Sequence, residues 1–461
     1  LHVTTIDHYS PPPGGLMRWT VDSDNSVAMP SSVPLSFNQQ FHLGTVESGS
    51  VWLAAAFDVD GPIDTGALEH AYRLLISRHG TLHSAFVRRG DRIDREIHDP
   101  AQLILRPAKT VVTSTSDELR ALLHDALDTA CHPFDYPAFL LAAIDRPDRS
   151  TVICGFDHVH VDGYSMSIIV DDLHQLYDRC RREPDGTDVD ALPMAGSFVD
   201  YCAAESDAVA ISLRDPRMRA WLDFFDEHDK TPPSFPLDLG LPLGQTAPQA
   251  VDLRDLLDAE ATATFELFCR SNGATVFAGL LAAMARCVRE LGGGPQMSML
   301  FPLHTRRSEQ WRGAVGWFTT NAPLTVVATD DFIDSVQRTG PALRTALSLG
   351  EVPVAQVLDA MGGLNHRRGD IFMVSFIDYR NLPGSSAHEE IGAQHISNVT
   401  ATDDTQFWIS RTARGLSLRT RYPGTPAARP VIVEFLDRLG QFLDEINSLQ
   451  PVDRAGTSLM G

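Results

Sequence analysis

The chain has 461 residues, 43% hydrophobic and 21% charged, which suits a folded, water-facing protein with more than one core, in two domains of roughly 200 residues each. Its formal charge of −22 would repel nucleic-acid phosphates and anionic lipid surfaces, so no nucleic acid partner is expected. There is no apolar run of about 18 residues and the first residues, Leu1 to Asp7, have no basic or apolar leader region, so no membrane span and a cytoplasmic location are expected.

The first thirty residues carry Pro11, Pro12, Pro13 and Pro30 and are expected to wrap the surface. Next, Pro34-Leu-Ser-Phe-Asn-Gln-Gln40 offers Ser36 as the N-cap of a short helix. Residues 51–59 read as a strand and 63–79 as a helix, with Leu68, Ala71, Tyr72, Leu75 and Ile76 on one face. Strands follow at 82–87 and 93–97, and a helix at 116–130. A strand before residue 157 and a helix over 164–179 close the first half. Residues 184–193 read as a loop, and 231–248, with Pro232, Pro233, Pro236, Pro242 and Pro248, as the boundary between domains 1–230 and 249–461. Beyond it, helices are expected at 259–271 and 276–291, strands at 296–301, 322–327, 371–377, 405–412 and 416–422, and a last helix at 430–449. Strands mixed with helices in both halves imply an α/β sandwich built twice. Ligand clefts favour such interfaces, and one open from both sides would admit two substrates.

One stretch carries chemistry. Thr151-Val-Ile-Cys-Gly-Phe-Asp-His-Val-His-Val-Asp-Gly163 runs an apolar strand into His158, with Asp162 and Gly163 just beyond. A histidine where a buried strand turns into a helix is held at a cleft edge, where a general base is useful. The His-x-x-x-Asp spacing recurs at His124/Asp128 and His174/Asp178, where helical periodicity accounts for it, and at His366/Asp370 in a basic loop. Only His158/Asp162 combines a strand before, a glycine after and a helix beyond. A plain hydrogen-bonded histidine at a strand end is the alternative for His158, and His160 is expected to be structural. Gly163 suits a tight turn at the helix start, where unpaired N–H groups would stabilise oxyanion charge. Met166 and Ile169 are expected in the core.

The six cysteines form no C-x-x-C pair and read as buried thiols, and no metal-ligand cluster is present. Gly292-Gly-Gly294 lacks the Lys-Ser/Thr of a phosphate loop and reads as a helix stop. Two basic clusters, Arg217 with Arg219 and His366 with Arg367 and Arg368, are candidate contacts for an acidic carrier, the plain alternative being a solvated face.

Five segments carry a family resemblance: Pro34 to Gln40; Gly61-Pro-Ile-Asp-Thr-Gly-Ala-Leu68 with Arg78-His-Gly-Thr-Leu-His-Ser-Ala-Phe86; His158 to Gly163; Pro302-Leu-His-Thr-Arg306; and Gly316-Trp-Phe-Thr-Thr-Asn-Ala-Pro-Leu324. In this order they resemble the condensation-domain superfamily of acyltransferases, which takes in condensation domains of nonribosomal peptide synthetases, polyketide-associated acyltransferases and, more distantly, chloramphenicol acetyltransferase. Three departures stand out. Asp157 replaces the first histidine of the His-His-x-x-x-Asp-Gly signature, and Thr320 stands where many relatives have asparagine. Phe376-Ile-Asp-Tyr379 lies near where a latch motif belongs.

The resemblance implies two chloramphenicol acetyltransferase-like α/β sandwich domains in a V-shaped pseudo-dimer, with the active site in the interdomain channel. It implies His158 as base or positioner of the nucleophile and a buried Asp162–Arg306 ion pair, with Trp317 and Phe318 as substrate wall or, alternatively, core. With no bound cofactor, the donor is expected to be a phosphopantetheinyl thioester on an acyl or peptidyl carrier protein, coenzyme A being the alternative. The acceptor is expected to be a small-molecule hydroxyl, giving an ester, with an amide product as the alternative. The expected setting is a free-standing enzyme of antibiotic biosynthesis such as enediyne assembly; the alternatives are esterification of a complex glycolipid and a non-catalytic recruitment domain. His158, Asp162, Gly163 and Arg306 together argue against the last, since a docking module needs no base.

Overall fold

The computed structural model describes residues 1–22, 28–45, 51–183, 192–365 and 368–449. The chain forms two compact units, one of Leu1–Ala210, His304–Thr320 and Tyr379–Thr400, the other of Ile211–Leu303, Asn321–Asp378 and Ala401–Gly461. This division differs from a single boundary at 231–248: residues 304–320, with Arg306, Trp317 and Phe318, pack with the first unit.

The first unit is built on an eight-stranded sheet. Its order is His2–Thr5, Gln394–Ser397, Trp52–Asp60, Arg149–Asp157, Phe139–Asp145, Gly15–Asp22 and Ile104–Pro107, with Val111–Val112 on the Gly15–Asp22 strand. The residues expected to wrap the surface therefore supply two strands of this sheet. Leu16 and Trp19 are buried there, and the three prolines fall in the connection between the strands.

The helices of this unit are α1 (Phe37–Thr45), α2 (Thr65–Arg78), α3 (Ser116–Ala130), α4 (Gly163–Arg182) and α5 (Phe198–Ser206). Against one sheet face α3 packs Leu119, Leu123, Ala126 and Leu127 onto Trp52, Ala54, Ala56, Leu140 and Ile153. The strand beneath answers with a glycine: a Cβ on Gly155 would lie 2.1 Å from Leu127 Cδ2. From α2, the buried Tyr72 hydroxyl donates to the Ala142 and Ile153 carbonyls at 2.7 and 3.2 Å. The Arg149–Asp157 strand is thus buried along all but its first residue, as expected for a strand covered on both faces.

The second unit has a five-stranded sheet in the order Met373–Asp378, Gln406–Thr412, Gly415–Pro423, Ala247–Asp258 and Ala401–Thr402. Its core gathers around the helix Val276–Glu290, with Phe265, Phe407, Phe435 and Leu439. The expected linker runs directly into the Ala247–Asp258 strand, which pairs along Gly415–Pro423. Three further helices, Pro216–Glu227, Phe332–Leu349 and Val354–Met361, were not expected, and the second contains Pro341, a residue that reads as a break.

Of the basic clusters, Arg217 is held by Asp215 at 2.9 Å and Glu351 at 2.9 Å, so its charge is already met. His366 and Arg367, and most of the 184–193 loop, lie outside the described residues. Among the described residues, no single helix is long and apolar enough to cross a membrane, and no group of three or more His, Cys, Asp or Glu side chains is placed to hold a metal ion. All six cysteines are buried and none forms a disulfide.

Candidate active site

Two aspartates shape the motif. Asp157 ends the strand and caps a single 3-10 turn, His158–His160, by accepting the Val159 N–H at 2.8 Å. Asp162 caps α4 by accepting the Ser165 N–H at 2.8 Å, leaving Gly163 as the first helical residue. Two short caps in succession fix the turn, and His158, whose N–H donates to the Val51 carbonyl at 2.8 Å, is half-buried within it.

Asp162 is saturated. Arg306 grips it with both terminal nitrogens, at 2.7 Å to Oδ2 and 3.0 Å to Oδ1. The Phe318 N–H donates to Oδ2 at 3.0 Å and the Ser165 hydroxyl to Oδ1 at 2.8 Å. Burial pushes this carboxyl up, but the Arg306 charge and these hydrogen bonds outweigh it and hold it below the usual value. Arg306 also donates to the Ala314 and Gly316 carbonyls, and its guanidinium lies 4.5 Å from the ring centres of both Tyr164 and Phe318. The expected ion pair is present, and it ties the motif to the 304–320 segment.

The wall residues separate. Trp317 lies against His158, ring centres 3.9 Å apart and planes tilted by 32°. Phe318 faces the other way: it is 0% exposed, packed on Phe198 and Tyr201 at 4.8 and 4.7 Å, and offers no surface to a substrate. Neighbouring residues of an extended segment point to opposite sides, so only one of the two can reach the imidazole. Gly316 is required just before them, since a Cβ there would lie 2.4 Å from Phe198 Cγ.

His158 is poised as a neutral imidazole. Burial, and then the neighbouring His42, pull it below the usual value, against Asp157 and Asp162, which raise it. Its Nδ1 is buried with no hydrogen-bond partner among the described residues. A neutral imidazole keeps a lone pair on one ring nitrogen, which a proton acceptor needs. His160 is buried on Thr81 at 3.3 Å, and burial holds it down to about 4, which fits the structural role expected of it.

Two residues of the site come from α1 and were not singled out in the sequence. Gln39 Nε2 donates to the Val159 carbonyl at 3.1 Å, and His42 Nε2 lies 3.0 Å from Asp157 Oδ1. The helix start is fixed by a reciprocal cap: the Gln39 N–H donates to the Ser36 hydroxyl and the Ser36 N–H to Gln39 Oε1, both at 3.2 Å. A faint signal existed. Gln39 and His42 are three residues apart, hence on one helix face, and that polar face is the buried one while Phe41 is 50% exposed.

Residues 30–452 match the condensation domain family. Acyltransferase PapA3 of Mycobacterium tuberculosis is 27% identical over 458 residues, covering 95% of this chain and 95% of its own. Trehalose-2-sulfate acyltransferase PapA2 of Mycobacterium bovis is also 27% identical, over 94% of this chain and 95% of its own. A solved structure of PapA2 acyl transferase superposes with a TM-score of 0.85 at 25% identity, covering 97% of this chain and 100% of that one, and it shares the α/β fold expected from the sequence. With nearly its whole length matched, the chain belongs to the condensation domain family and is an acyltransferase of the condensation type.

Proposed function

We propose that this acyltransferase esterifies a sugar hydroxyl, using a thioester as acyl donor and His158 as the base. The observation that carries the reading is the His158 imidazole itself: kept neutral by burial and faced by Trp317, ring centres 3.9 Å apart. In the reaction the acceptor oxygen attacks the thioester carbonyl carbon while Nε2 takes the hydroxyl proton. The C–O bond forms, the C–S bond breaks, and the departing sulfur takes the proton back from the imidazolium. Trp317 favours the transient imidazolium through its ring face. Gly163, at the start of α4, is assigned to the oxyanion through its backbone N–H. Since a thioester is already activated, alignment of the two substrates supplies much of the remaining rate.

The acceptor class follows the relatives, whose names include acyl transfer to sulfated trehalose, rather than the antibiotic setting. For the donor we favour a phosphopantetheinyl thioester on a carrier protein, with coenzyme A as the alternative. The test is intact-mass monitoring of an acyl-loaded carrier, and separately of an acyl-coenzyme A, mixed with the chain and a trehalose acceptor. Loss of acyl mass with a matching ester product is expected, at least a hundredfold slower in His158→Ala. The acid limb of kcat/KM is expected below the usual imidazole value of 6.5, because burial lowers it. No ester from either donor, or equal rates in His158→Ala, would overturn the reading.

A further inference from the structure

The carboxylate directly before His158 raises a problem that α1 answers. Asp157 is 0% exposed, and its Oδ1 accepts only the Val159 N–H at 2.8 Å and His42 Nε2 at 3.0 Å. Its Oδ2 is buried with no partner, and no arginine or lysine bonds it among the described residues. A bare buried carboxylate one residue from an imidazole favours the protonated ring, which cannot act as a base. His42 is 7% exposed, its ring centre 6.4 Å from that of His158 and 5.7 Å from that of Trp317, edge-on. It is held there by the capped start of α1 and by Gln39 on Val159.

We propose that His42 is a positioning residue: its hydrogen bond to Asp157 offsets the field of that carboxylate, so that His158 stays neutral and seated on Trp317 at neutral pH. This rests on the reading of His158 as the base. The other charges around the ring are already answered. Asp162 is matched by Arg306 at 2.7 Å, and His160 is kept neutral by burial with Arg95 beyond it. Cys131, which feels Asp157, is pushed well up by burial and stays a thiol. Among the described residues, His42 is the side chain that bonds Asp157.

The test is a histidine 13C NMR titration of the full chain, following the His158 ring resonance, assigned by its loss in His158→Ala. In His42→Phe the His158 midpoint is expected to rise by about one pH unit or more, as a nearby uncompensated charge requires. In His42→Phe/Asp157→Asn it is expected to return close to the wild-type midpoint. The acid limb of kcat/KM moves in step. A purely structural His42 would lower activity in both variants without this rise and return. An unchanged midpoint in His42→Phe, or a shift that persists in the double variant, overturns the proposal. Should His42→Phe fail to fold, His42→Gln is read instead: a smaller rise in the same direction supports the proposal and none overturns it. If the resonance moves as stated while the wild-type chain transfers no acyl group, the pairing stands and the assigned function falls.

Discussion

Asp157 and Asp162 lie five residues apart, both buried, each capping the turn that follows it. Asp162 meets a guanidinium, a hydroxyl and two backbone N–H groups; Asp157 meets one N–H and one imidazole, and keeps an oxygen without a partner. The first is a permanent charge met by a permanent charge, since arginine does not titrate in proteins. The second is met by a side chain whose own charge depends on its surroundings. One carboxylate thus serves as a joint of the fold, while the other sets the electrical environment of the ring beside it.

The two carboxylates differ most in what removing the partner does, and Arg306 is the partner to remove first. Arg306→Met strands the Asp162 carboxylate, and a loss of about 3 to 5 kcal/mol is expected, read as the shift of the urea midpoint. A loss below about 1 kcal/mol would mean that the joint does not hold in the way its five hydrogen bonds imply.

Acid titration sharpens the same contrast. The Asp162 carboxyl is held below its ordinary 3.8 in the folded chain, so the folded state binds fewer protons there. Its contribution is therefore fully present above that value and lost as pH falls through the folded one. Unfolding free energy measured from pH 5 downward is expected to show this loss in the wild type and not in Asp162→Asn.

The smallest expected effect is at the ring contact. Trp317→Leu removes the aromatic face 3.9 Å from His158 and should lower the His158 midpoint by a few tenths of a pH unit. kcat/KM is expected to fall roughly threefold to tenfold, in line with a cation–π contribution of about 0.5 to 1 kcal/mol or somewhat more. A midpoint that rises instead would show that Trp317 acts only as a steric wall.

Much of this was legible in the chain, and the reasons differ by element. α3 begins and ends where its sequence pattern places it, because Thr115 caps it by accepting the Glu118 N–H at 3.1 Å and Leu119, Leu123 and Leu127 recur at helical spacing. The helix Phe332–Leu349 was hidden by Pro341, and the two N-terminal strands by the proline cluster beside them. In the site, His158, Asp162 and Gly163 could be read because their spacing is local, and Arg306 through the family resemblance. His42 could not: its partner Asp157 is 115 residues away, and only the folded chain brings them together. Phe318 shows the reverse error, since adjacency to Trp317 in sequence says nothing about which of the two turns inward.

The strand Gln394–Ser397 lies inside the first unit's sheet, between His2–Thr5 and Trp52–Asp60. Strand His2–Thr5 pairs with it alone among the described strands, so the first strand made has no neighbour until almost the last is made. At roughly 5 to 20 residues per second, the ribosome leaves the unfinished sheet waiting on the order of ten to forty seconds after residue 210 emerges. A fragment cut at that residue would lack this strand and the guanidinium that Asp162 requires, so the first unit cannot be prepared as a simple N-terminal truncation. Its two ends are made far apart in time and mature together.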